Sequence, residues 1–538
     1  MRRKATCRLP PESDPEPVAN SYLSACGLPG AWARQNAWRI LDTNWQDGAR
    51  FRACVDAWDR DPLKPRMLHY VGLVDVPSGD LTPGFHRLSF SAGRVLLTLC
   101  VGELKPLLRA QDFWADSIFL AEASNAEWDD WTLKALLRCC RRGTQLATDA
   151  EEGDLQRRLT DHGFNIQPSA TPQHVQAHFN PRWQIKSTRR QPRLQSSQPS
   201  HCVVIGAGLA GASTAASLAR RGWKVQVLDA ATLPASGASG LPVGLVVAPP
   251  AHERHARSHL LRAGVLLTMQ QAQEHLTSGL GWALSGIMTT PPGLAAHWEP
   301  NAAWIKPQPL VQAWLAQPGI QFRGNAQVAA MQCVDGEWIL RDTQNALLAK
   351  AGLVVLACAG GVEGLLAGSG FRLRQPLAGV HGQVSWALQQ EPDQLGLPPF
   401  PLNGLGHLVP DVPLNAGSAW FAGATYAGGN AVPTAVQGHE ANLTRLAQLH
   451  PPSARLMARR IADGSVQAWK GTRFTAQDRM PLVGRLNPVA QPALYINSGF
   501  GSRGLSWCVL CAELLAARIC NEPLPVPQTW ARLLRGTS

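Results

Sequence analysis

The chain has 538 residues, of which 45% are hydrophobic and 16% charged, and its formal net charge is +12. This length indicates roughly two to four domains, and the composition excludes wholesale disorder. The basic excess alone identifies no partner. We find neither a run of about 18 uncharged apolar residues nor an apolar stretch behind the N-terminal basic residues. The sequence therefore predicts a cytoplasmic, multidomain protein without a membrane segment.

The first predicted strand of an α/β domain lies in the stretch WRILDTNWQDGARF, residues 38–51. The segment ILDT is an apolar strand end that contains an acidic residue, Asp42, and it leads into a loop, as in nucleotide-binding α/β domains. That loop reads NWQD at residues 44–47, where a loop that holds a cofactor is rich in glycine. The stretch is therefore either a cofactor site or the remains of one.

Residues 181–200, PRWQIKSTRRQPRLQSSQPS, are predicted to link two domains because they are rich in Pro, Gln and Ser. The segment contains no acidic residue, so its basic side chains are able to meet phosphates. The alternative is a solvated linker without a partner. The basic residues are Arg182, Lys186, Arg189, Arg190 and Arg193.

The stretch from His201 to Ala230 has the pattern of a dinucleotide-binding β-strand, helix and β-strand. Gly206 permits the tight turn, Gly208 lets the backbone approach a pyrophosphate, and Gly211 lets the helix pack closely on the strand. Asp229 ends the second strand, where an acid bonds a ribose 2′-hydroxyl. The helix N-terminus then faces the phosphates, so the pattern predicts a dinucleotide site.

Glycine-rich and small-residue stretches further along favour FAD over NAD. Residues 237–249, which include Ser239 and Gly240, come just after this β-strand, helix and β-strand unit. Flavoproteins wrap this part of the chain around the pyrophosphate and the flavin ring. Residues 351–361 form a strand that ends in small residues and suits a close approach to the adenosine half. Because a nicotinamide dehydrogenase does not need such distant segments to share one cofactor, we predict FAD.

The C-terminal stretch LYINSGFGSRGLSWCVLCAELLAA predicts a strand, a loop with Gly499, Gly501 and Gly504, and a helix. Its backbone amides and helix N-terminus are placed to face the carbonyl edge of a flavin. The same helix contains the one CxxC, Cys508 to Cys511. Because that motif has an apolar pattern and no second pair, it favours a buried helix face, and we predict no metal site.

The stretch GTRFTAQDRMPLVG, residues 471–484, followed by GFGSRGL and CAELLAARICNEPLPV, resembles the C-terminal signature of the D-amino-acid oxidase and glycine oxidase superfamily. More narrowly, residues 198–538 resemble the flavin half of the tRNA 5-methylaminomethyl-2-thiouridine biosynthesis bifunctional family. The stretches GASG, AAWIKPQPLVQAWL and GATYAGG carry the resemblance too.

This resemblance implies an FAD-dependent oxidoreductase that acts on the wobble uridine of tRNA. The enzyme would remove a carboxymethyl group from a carboxymethylaminomethyl substituent, leaving aminomethyluridine and glyoxylate, with dioxygen as the electron acceptor. The resemblance places Arg473 as the clamp on the substrate carboxylate. Arg503 is the rival for that role, and Tyr426 is a candidate for a supporting hydrogen bond.

In the same family a methyltransferase half precedes the flavin half, and residues 20–180 resemble its layout. We predict that the α/β fold is kept and that S-adenosylmethionine binds weakly or not at all. Asn44 and Gln46 replace glycines of the cofactor loop, and Ala121 replaces the aspartate of the catalytic loop. Val74 replaces the acid that would hold the ribose, for which the neighbouring Asp75 is the alternative. The stretch at residues 38–51 is thus interpreted as the remains of a cofactor site.

The predicted architecture is α/β, with a Rossmann-like methyltransferase-type domain at 20–180, a basic linker at 181–200 and an FAD-binding Rossmann-type domain at 201–538. An antiparallel-sheet substrate domain is expected to be interleaved with the last. One alternative function is a free amino-acid oxidase of the glycine or D-amino-acid type. Another is an RNA-binding scaffold with structural FAD, which the retained GTRFTAQDRMPLVG stretch argues against.

Overall fold

The structure is a computed structural model. The residues that it describes are 17–75, 81–121, 128–149, 153–167, 175–184, 199–291, 293, 295–367, 371–429, 432–487 and 492–536. Four of the five basic residues of the predicted linker lie outside these ranges, namely Lys186, Arg189, Arg190 and Arg193. No helix in the described ranges is long and apolar enough to cross a bilayer.

The chain forms two compact units. The first contains residues 1–200 together with 220–222 and 516–533. The second contains residues 201–219, 223–515 and 534–538. Two short segments from beyond residue 200, one of them near the C-terminus, therefore belong to the first unit.

The elements up to residue 184 are α1 (Pro17–Ala25), β1 (Ala37–Asp42), α2 (Ala49–Arg60), β2 (Met67–Val74), β3 (Gly84–Phe90), β4 (Val95–Val101), α3 (Leu104–Ala110), β5 (Ser117–Leu120), α4 (Asp130–Leu137), β6 (Gln145–Thr148), α5 (Asp154–Asp161), β7 (Phe164–Gln167) and β8 (Val175–Phe179). They build one sheet in the order β3-β4-β2-β1-β5-β6-β8-β7. The strands from β4 to β6 are parallel, and β3, β8 and β7 pair antiparallel. Every residue of β2 and β4 is buried, as expected for a parallel sheet covered on both faces.

From residue 201 the elements are β9 (His201–Ile205), α6 (Leu209–Arg220), β10 (Lys224–Leu228), β11 (Gly244–Val246), α7 (Ala256–His275), β12 (Trp282–Ala283), β13 (Ile287–Thr289), β14 (His297–Glu299), β15 (Ala303–Ile305), α8 (Pro307–Leu315), β16 (Ile320–Arg323), β17 (Ala330–Val334), β18 (Glu337–Arg341), β19 (Leu347–Ala351), β20 (Leu353–Leu356), α9 (Gly361–Leu366), β21 (Ala378–Leu388), β22 (Leu402–Asn403), β23 (His407–Leu414), β24 (Gly417–Gly423), β25 (Ala427–Gly428), α10 (Ala435–Leu449), α11 (Pro451–Ala462), β26 (Gln467–Thr475), β27 (Leu482–Arg485), β28 (Ala493–Ser498), α12 (Gly504–Cys520) and α13 (Gln528–Ala531).

A six-stranded sheet in the order β16-β10-β9-β20-β28-β27 forms the nucleotide-binding part of the second unit. Its first five strands are parallel, and β27 pairs antiparallel with β28. The strands β9, β20 and β28 come from distant parts of the sequence but lie side by side. In an open α/β sheet the carboxyl ends of such neighbours form the ligand crevice.

A second sheet of eight strands contains the substrate side of this unit, in the order β14-β13-β22-β23-β24-β21-β25 with β26 also paired to β21. Apart from the parallel pair β13–β22, its strands pair antiparallel. Small sheets β11-β15-β12 and β17-β18-β19 complete the unit. The predicted α/β class with an interleaved antiparallel sheet is thus confirmed.

Candidate active site

The glycine loop between β9 and α6 is closed so tightly that side chains are excluded. At Gly206 the backbone has φ +108°, and a Cβ there would lie 2.5 Å from the carbonyl oxygen of Ala357. A Cβ on Gly211 would lie 1.8 Å from the carbonyl oxygen of Gly206, and one on Gly208 would lie 2.9 Å from Oγ of Ser239. The three predicted glycines therefore sit where the backbone must approach a neighbour or a ligand closely.

Two polar side chains hold this loop. Asp229 accepts hydrogen bonds from the backbone N–H groups of Ala207 at 2.6 Å and Ala231 at 2.8 Å. Ser239 Oγ accepts one from the backbone N–H of Leu209 at 2.9 Å. Each carboxylate oxygen has two lone pairs, so Asp229 can still accept a ribose hydroxyl. Its role as the ribose ligand remains a prediction.

The other predicted loops are shaped in the same way. A Cβ on Gly240 would lie 2.6 Å from the carbonyl oxygen of Ala235. Gly499 and Gly501 have φ values of +81° and +56°, a region that favours glycine. A Cβ on Gly504, where α12 begins, would lie 3.2 Å from the Leu209 side chain at the start of α6. The N-termini of both helices thus converge on one crevice.

The CxxC of α12 is a buried helix face, as predicted. Cys508 and Cys511 have no exposed surface. Burial raises the pKa of Cys508 to about 12, which keeps the thiol protonated and unreactive at neutral pH.

A cavity of about 540 Å³ lies in the second unit beside the loop after β28. The three residues that the resemblance singled out, Tyr426, Arg473 and Arg503, all line it. Two further arginines, Arg257 and Arg479, line it as well and were not predicted. The structure therefore brings four guanidinium groups and a phenol to one pocket.

Arg473 lies on β26, opposite Val380 of β21, and only 9% of it is exposed. Its Nη1 atom is buried and has no hydrogen-bond partner among the described residues. A Cβ on Gly382 would lie 2.6 Å from its Nη2 atom, so the guanidinium occupies the space that this glycine leaves. Burial lowers the pKa of Arg473, but a guanidinium stays charged at neutral pH. A buried, charged and unsatisfied group of this kind is suited to an anionic ligand.

Tyr426 stands beside Arg473 and is 56% exposed. Its ring centroid lies 5.1 Å from Cζ of Arg473 and 5.8 Å from Cζ of Arg445, distances at which cations and aromatic rings attract. Arg445 also donates a hydrogen bond to the carbonyl oxygen of Ala424. The tyrosine ring therefore lies within attractive distance of two cations while much of it stays open to solvent.

Arg503 occupies the short 3₁₀ turn before α12 and is more exposed than Arg473. Desolvation and the neighbouring Arg257 guanidinium lower the pKa of Arg503, which Tyr426 and Glu253 partly offset. Arg473, the more deeply buried of the two predicted candidates, thus has the greater need of a counter-charge.

His407 on β23 is another group near Arg473 that sequence reasoning missed. Its Nε2 atom is buried and has no hydrogen-bond partner within the described ranges. Burial, together with the Arg473 charge, lowers the pKa of His407 to about 4, so the imidazole is neutral at neutral pH. No local sequence signal marks His407 or Arg257, whereas Arg479 lies within the GTRFTAQDRMPLVG stretch.

In the first unit the corresponding loop is filled by its own side chains. Trp45 is 9% exposed and lies against the end of β2, where a Cβ on Gly72 would be 2.7 Å from its Cε3 atom. A Cβ on Gly48 would be 2.6 Å from its Cζ2 atom. The indole also packs against the rings of Phe51 and Tyr70. Trp45 therefore takes up space at the carboxyl ends of β1 and β2, where such folds place a cofactor.

Asp42, at the end of β1, is bound internally. Its carboxylate accepts a hydrogen bond from the Tyr70 hydroxyl at 2.6 Å and forms an ion pair with Arg50 at 3.1 Å. The backbone N–H of Asn44 donates to it at 3.1 Å. Arg50 in turn donates a hydrogen bond to the carbonyl oxygen of Asn44. These residues do not fit S-adenosylmethionine.

Comparison with known proteins matches a family model to each of the two parts of the chain. The model of the FAD dependent oxidoreductase family matches residues 201–293 and 283–518. That of an S-adenosyl-L-methionine-dependent methyltransferase family matches residues 75–172. A tRNA 5-methylaminomethyl-2-thiouridine biosynthesis bifunctional protein from Albidiferax ferrireducens is 44% identical to the chain, with 96% of each covered. The chain belongs to this bifunctional family. Its relative from Polaromonas naphthalenivorans is 37% identical and covers 95% of this chain.

Solved structures show the fold of the flavin half. Glycine oxidase from Geobacillus kaustophilus superposes with a TM-score of 0.50 at 19% identity, covering 62% of this chain and 98% of its own. L-proline dehydrogenase from P. horikoshii gives 0.50 at 16% identity, over 63% and 97%. The family model and the relatives, rather than these structures, identify the second unit as an FAD-dependent oxidoreductase, and its glycine loops fit that cofactor.

Proposed function

We propose that the protein removes the carboxymethyl group from carboxymethylaminomethyl-(2-thio)uridine at the tRNA wobble position. Its relatives are named for the biosynthesis of a modified tRNA nucleoside. The observation that carries the proposal is Arg473, a buried guanidinium without a partner for Nη1 that lines the pocket beside the flavin loops. A carboxylate at the end of the substrate is the anion that such a group would bind.

In this reaction Arg473 binds the two oxygens of the substrate carboxylate and fixes the adjacent CH2 and amine. Bound FAD supplies a two-electron acceptor for that CH2. The neutral His407 adds no second charge near the clamp. The substrate imine that results then takes up water and separates into the primary amine, which stays on the tRNA, and glyoxylate.

We propose that the family's subsequent methylation is lost in this chain. Trp45 and the internally bound Asp42 occupy the place where the methyltransferase-like unit would hold its cofactor. The product would then be the aminomethyl nucleoside, dioxygen would reoxidise the flavin, and the enzyme would work in the cytoplasm.

Mass spectrometry of nucleosides from undermodified tRNA incubated with the purified protein tests the proposal. We expect carboxymethylaminomethyluridine to decline and aminomethyluridine to accumulate equally with and without S-adenosylmethionine. Glyoxylate and hydrogen peroxide should form in step with it. Unchanged tRNA, together with oxidation of free glycine, would instead identify a free amino-acid oxidase.

A further inference from the structure

We propose that the mouth of the active-site pocket reads a nucleotide: the Tyr426 ring stacks on the wobble base, and Arg257 with Arg503 binds a neighbouring phosphate. This inference rests on the proposed function and assigns the groups that distinguish tRNA from a free amino acid. Arg473 remains the clamp for the carboxylate at the pocket floor.

The Tyr426 ring has the properties of a stacking platform. It lines the pocket, is 56% exposed, and has the Arg473 and Arg445 guanidinium groups 5.1 and 5.8 Å from its centroid. Proteins that bind unpaired bases stack them on such aromatic rings, because every base offers a flat face. A small amino acid needs no aromatic surface of this size, whereas a uridine carrying the carboxylate does.

Arg257 adds a positive charge to the pocket beyond the one that Arg473 provides for the substrate carboxylate. Arg257 lies in the first turn of α7, and that turn contains no acidic residue. Its Nε atom is buried without a hydrogen-bond partner among the described residues. Arg503 lies close enough for the Arg257 charge to lower its pKa. Two guanidinium groups in one pocket repel each other unless an anion lies between them.

A nearby acid, Glu253, offsets the charge of this pair only in part. Glu253, which lies near Arg503, accepts a hydrogen bond from Ser258 Oγ at 2.5 Å. Neither Arg257 nor Arg503 forms an ion pair with a carboxylate in the described part of the chain. The approach to α7 adds a further guanidinium, that of the exposed Arg254. The positive surface thus continues outward from the pocket, as a polynucleotide backbone requires.

The test compares kcat/KM for three substrates that differ by one feature each. These are an anticodon stem-loop oligonucleotide carrying carboxymethylaminomethyluridine, the same free nucleoside, and sarcosine, which has neither base nor phosphate. Tyr426→Leu is paired with Tyr426→Phe, which keeps the ring. Arg257→Gln is paired with Arg459→Gln, which removes an exposed charge from α11 that does not line the pocket.

We expect Tyr426→Leu to lower the nucleoside-to-sarcosine ratio of kcat/KM about tenfold, because stacking serves only substrates with a base. Tyr426→Phe should restore most of it. Arg257→Gln should lower the oligonucleotide-to-nucleoside ratio about tenfold and flatten its salt dependence, chiefly through KM, whereas Arg459→Gln should not.

Ratios equal to wild type in both Tyr426→Leu and Arg257→Gln, with flavin content intact, would overturn the inference while leaving the proposed function standing. A wild-type enzyme that oxidises sarcosine but neither nucleoside nor oligonucleotide would instead refute the proposed function, and the inference with it.

Discussion

Arg473 is the residue whose environment most constrains the chemistry. Only 9% of the residue is exposed, and Nη1 has no partner in the described part of the chain. Leaving a charged group unsatisfied in a buried position is costly, so a ligand that supplies two oxygens is strongly favoured. Gly382 lies where any larger residue would push the guanidinium aside.

Replacing Arg473 with Lys tests this assignment at the residue scale. Lysine keeps the charge but loses the planar fork. We therefore expect kcat/KM for the modified tRNA to fall at least roughly tenfold, a loss of about 1.5 kcal/mol in transition-state stabilisation. Flavin absorbance should stay unchanged, since Arg473 is not part of the glycine loops. Steady-state kinetics with glyoxylate detection measures the loss.

Arg503→Lys is the matched comparison, because Arg503 lines the same pocket but is more exposed. We expect it to cost less than Arg473→Lys. If Arg473→Lys and Arg473→Ala both react at the normal rate while Arg503→Ala does not, the carboxylate clamp is Arg503.

At the scale of elements, the turn from β9 into α6 determines whether the cofactor can bind. The turn is tight because Gly211 lets α6 lie against the carbonyl of Gly206, with only 1.8 Å available to a Cβ. Gly206 in turn approaches Ala357, just after the end of β20. Since β20 pairs with β9, this contact ties the turn to the neighbouring strand of the sheet. These contacts are between backbone atoms, which cannot move aside without shifting whole elements.

Gly211→Ala should therefore abolish FAD binding or reduce it severely, because a contact of this kind forces α6 away from the loop. The control is Gly364→Ala in α9, where a Cβ would meet nothing within 4 Å. The flavin-to-protein absorbance ratio after purification and FAD reconstitution checks the result. A Gly211→Ala protein with a full complement of FAD would contradict the proposed site.

At the scale of the whole molecule, distant parts of the sequence are joined through buried charges. In the first unit, Glu522 accepts a hydrogen bond from Arg221 Nε at 2.7 Å and lies 3.3 Å from His69 Nε2. All three side chains are almost fully buried. Burial raises the pKa of Glu522, but Arg221 and His69 outweigh it and lower the value to about 2. For His69, burial is the main cause of a lowered pKa.

These shifts predict that acid destabilises the first unit. The folded pKa of Glu522 lies below its unfolded value of about 4.3, so its contribution is complete above that pH and is lost as the pH falls towards 2. The folded pKa of His69 is likewise below its unfolded value of about 6.5, and its contribution is lost as the pH falls through that region.

Urea unfolding of the full chain between pH 8 and pH 3 measures this dependence. At neutral pH we expect Glu522→Gln to lower the free energy of unfolding by about 3 kcal/mol, since it removes the carboxylate that pairs with the buried Arg221. The difference from wild type should shrink as the pH falls. Glu337→Gln, the same change at an exposed site, should leave it unaltered. An equal pH profile in wild type and Glu522→Gln would exclude the triad as the cause.

The first unit should also fail to bind S-adenosylmethionine, because Trp45 and the Asp42–Arg50 pair fill its loop. Isothermal titration calorimetry of the whole protein should show no binding at micromolar concentrations. Micromolar affinity, or methylated nucleoside from the tRNA assay, would show that the loop opens and that the methyltransferase function is retained.

The sequence alone determined the α/β class, the glycine loop at Gly206 and the loss of glycines at Asn44 and Gln46. It did so because each is a local requirement: a tight turn, a close approach or a positive φ restricts the residue at that position whatever surrounds it. The GTRFTAQDRMPLVG stretch likewise pointed to Arg473 through a family resemblance.

Only the tertiary structure decided which side chains share a pocket. Arg257 on α7, Tyr426 after β24 and Arg473 on β26 meet there because strands paired across the second sheet and a helix from elsewhere converge on one crevice. The same holds for Trp45, whose indole fills the first unit's loop through contacts with Gly72 of β2. Such contacts depend on packing between elements that are distant in sequence, and no local pattern of residues encodes them.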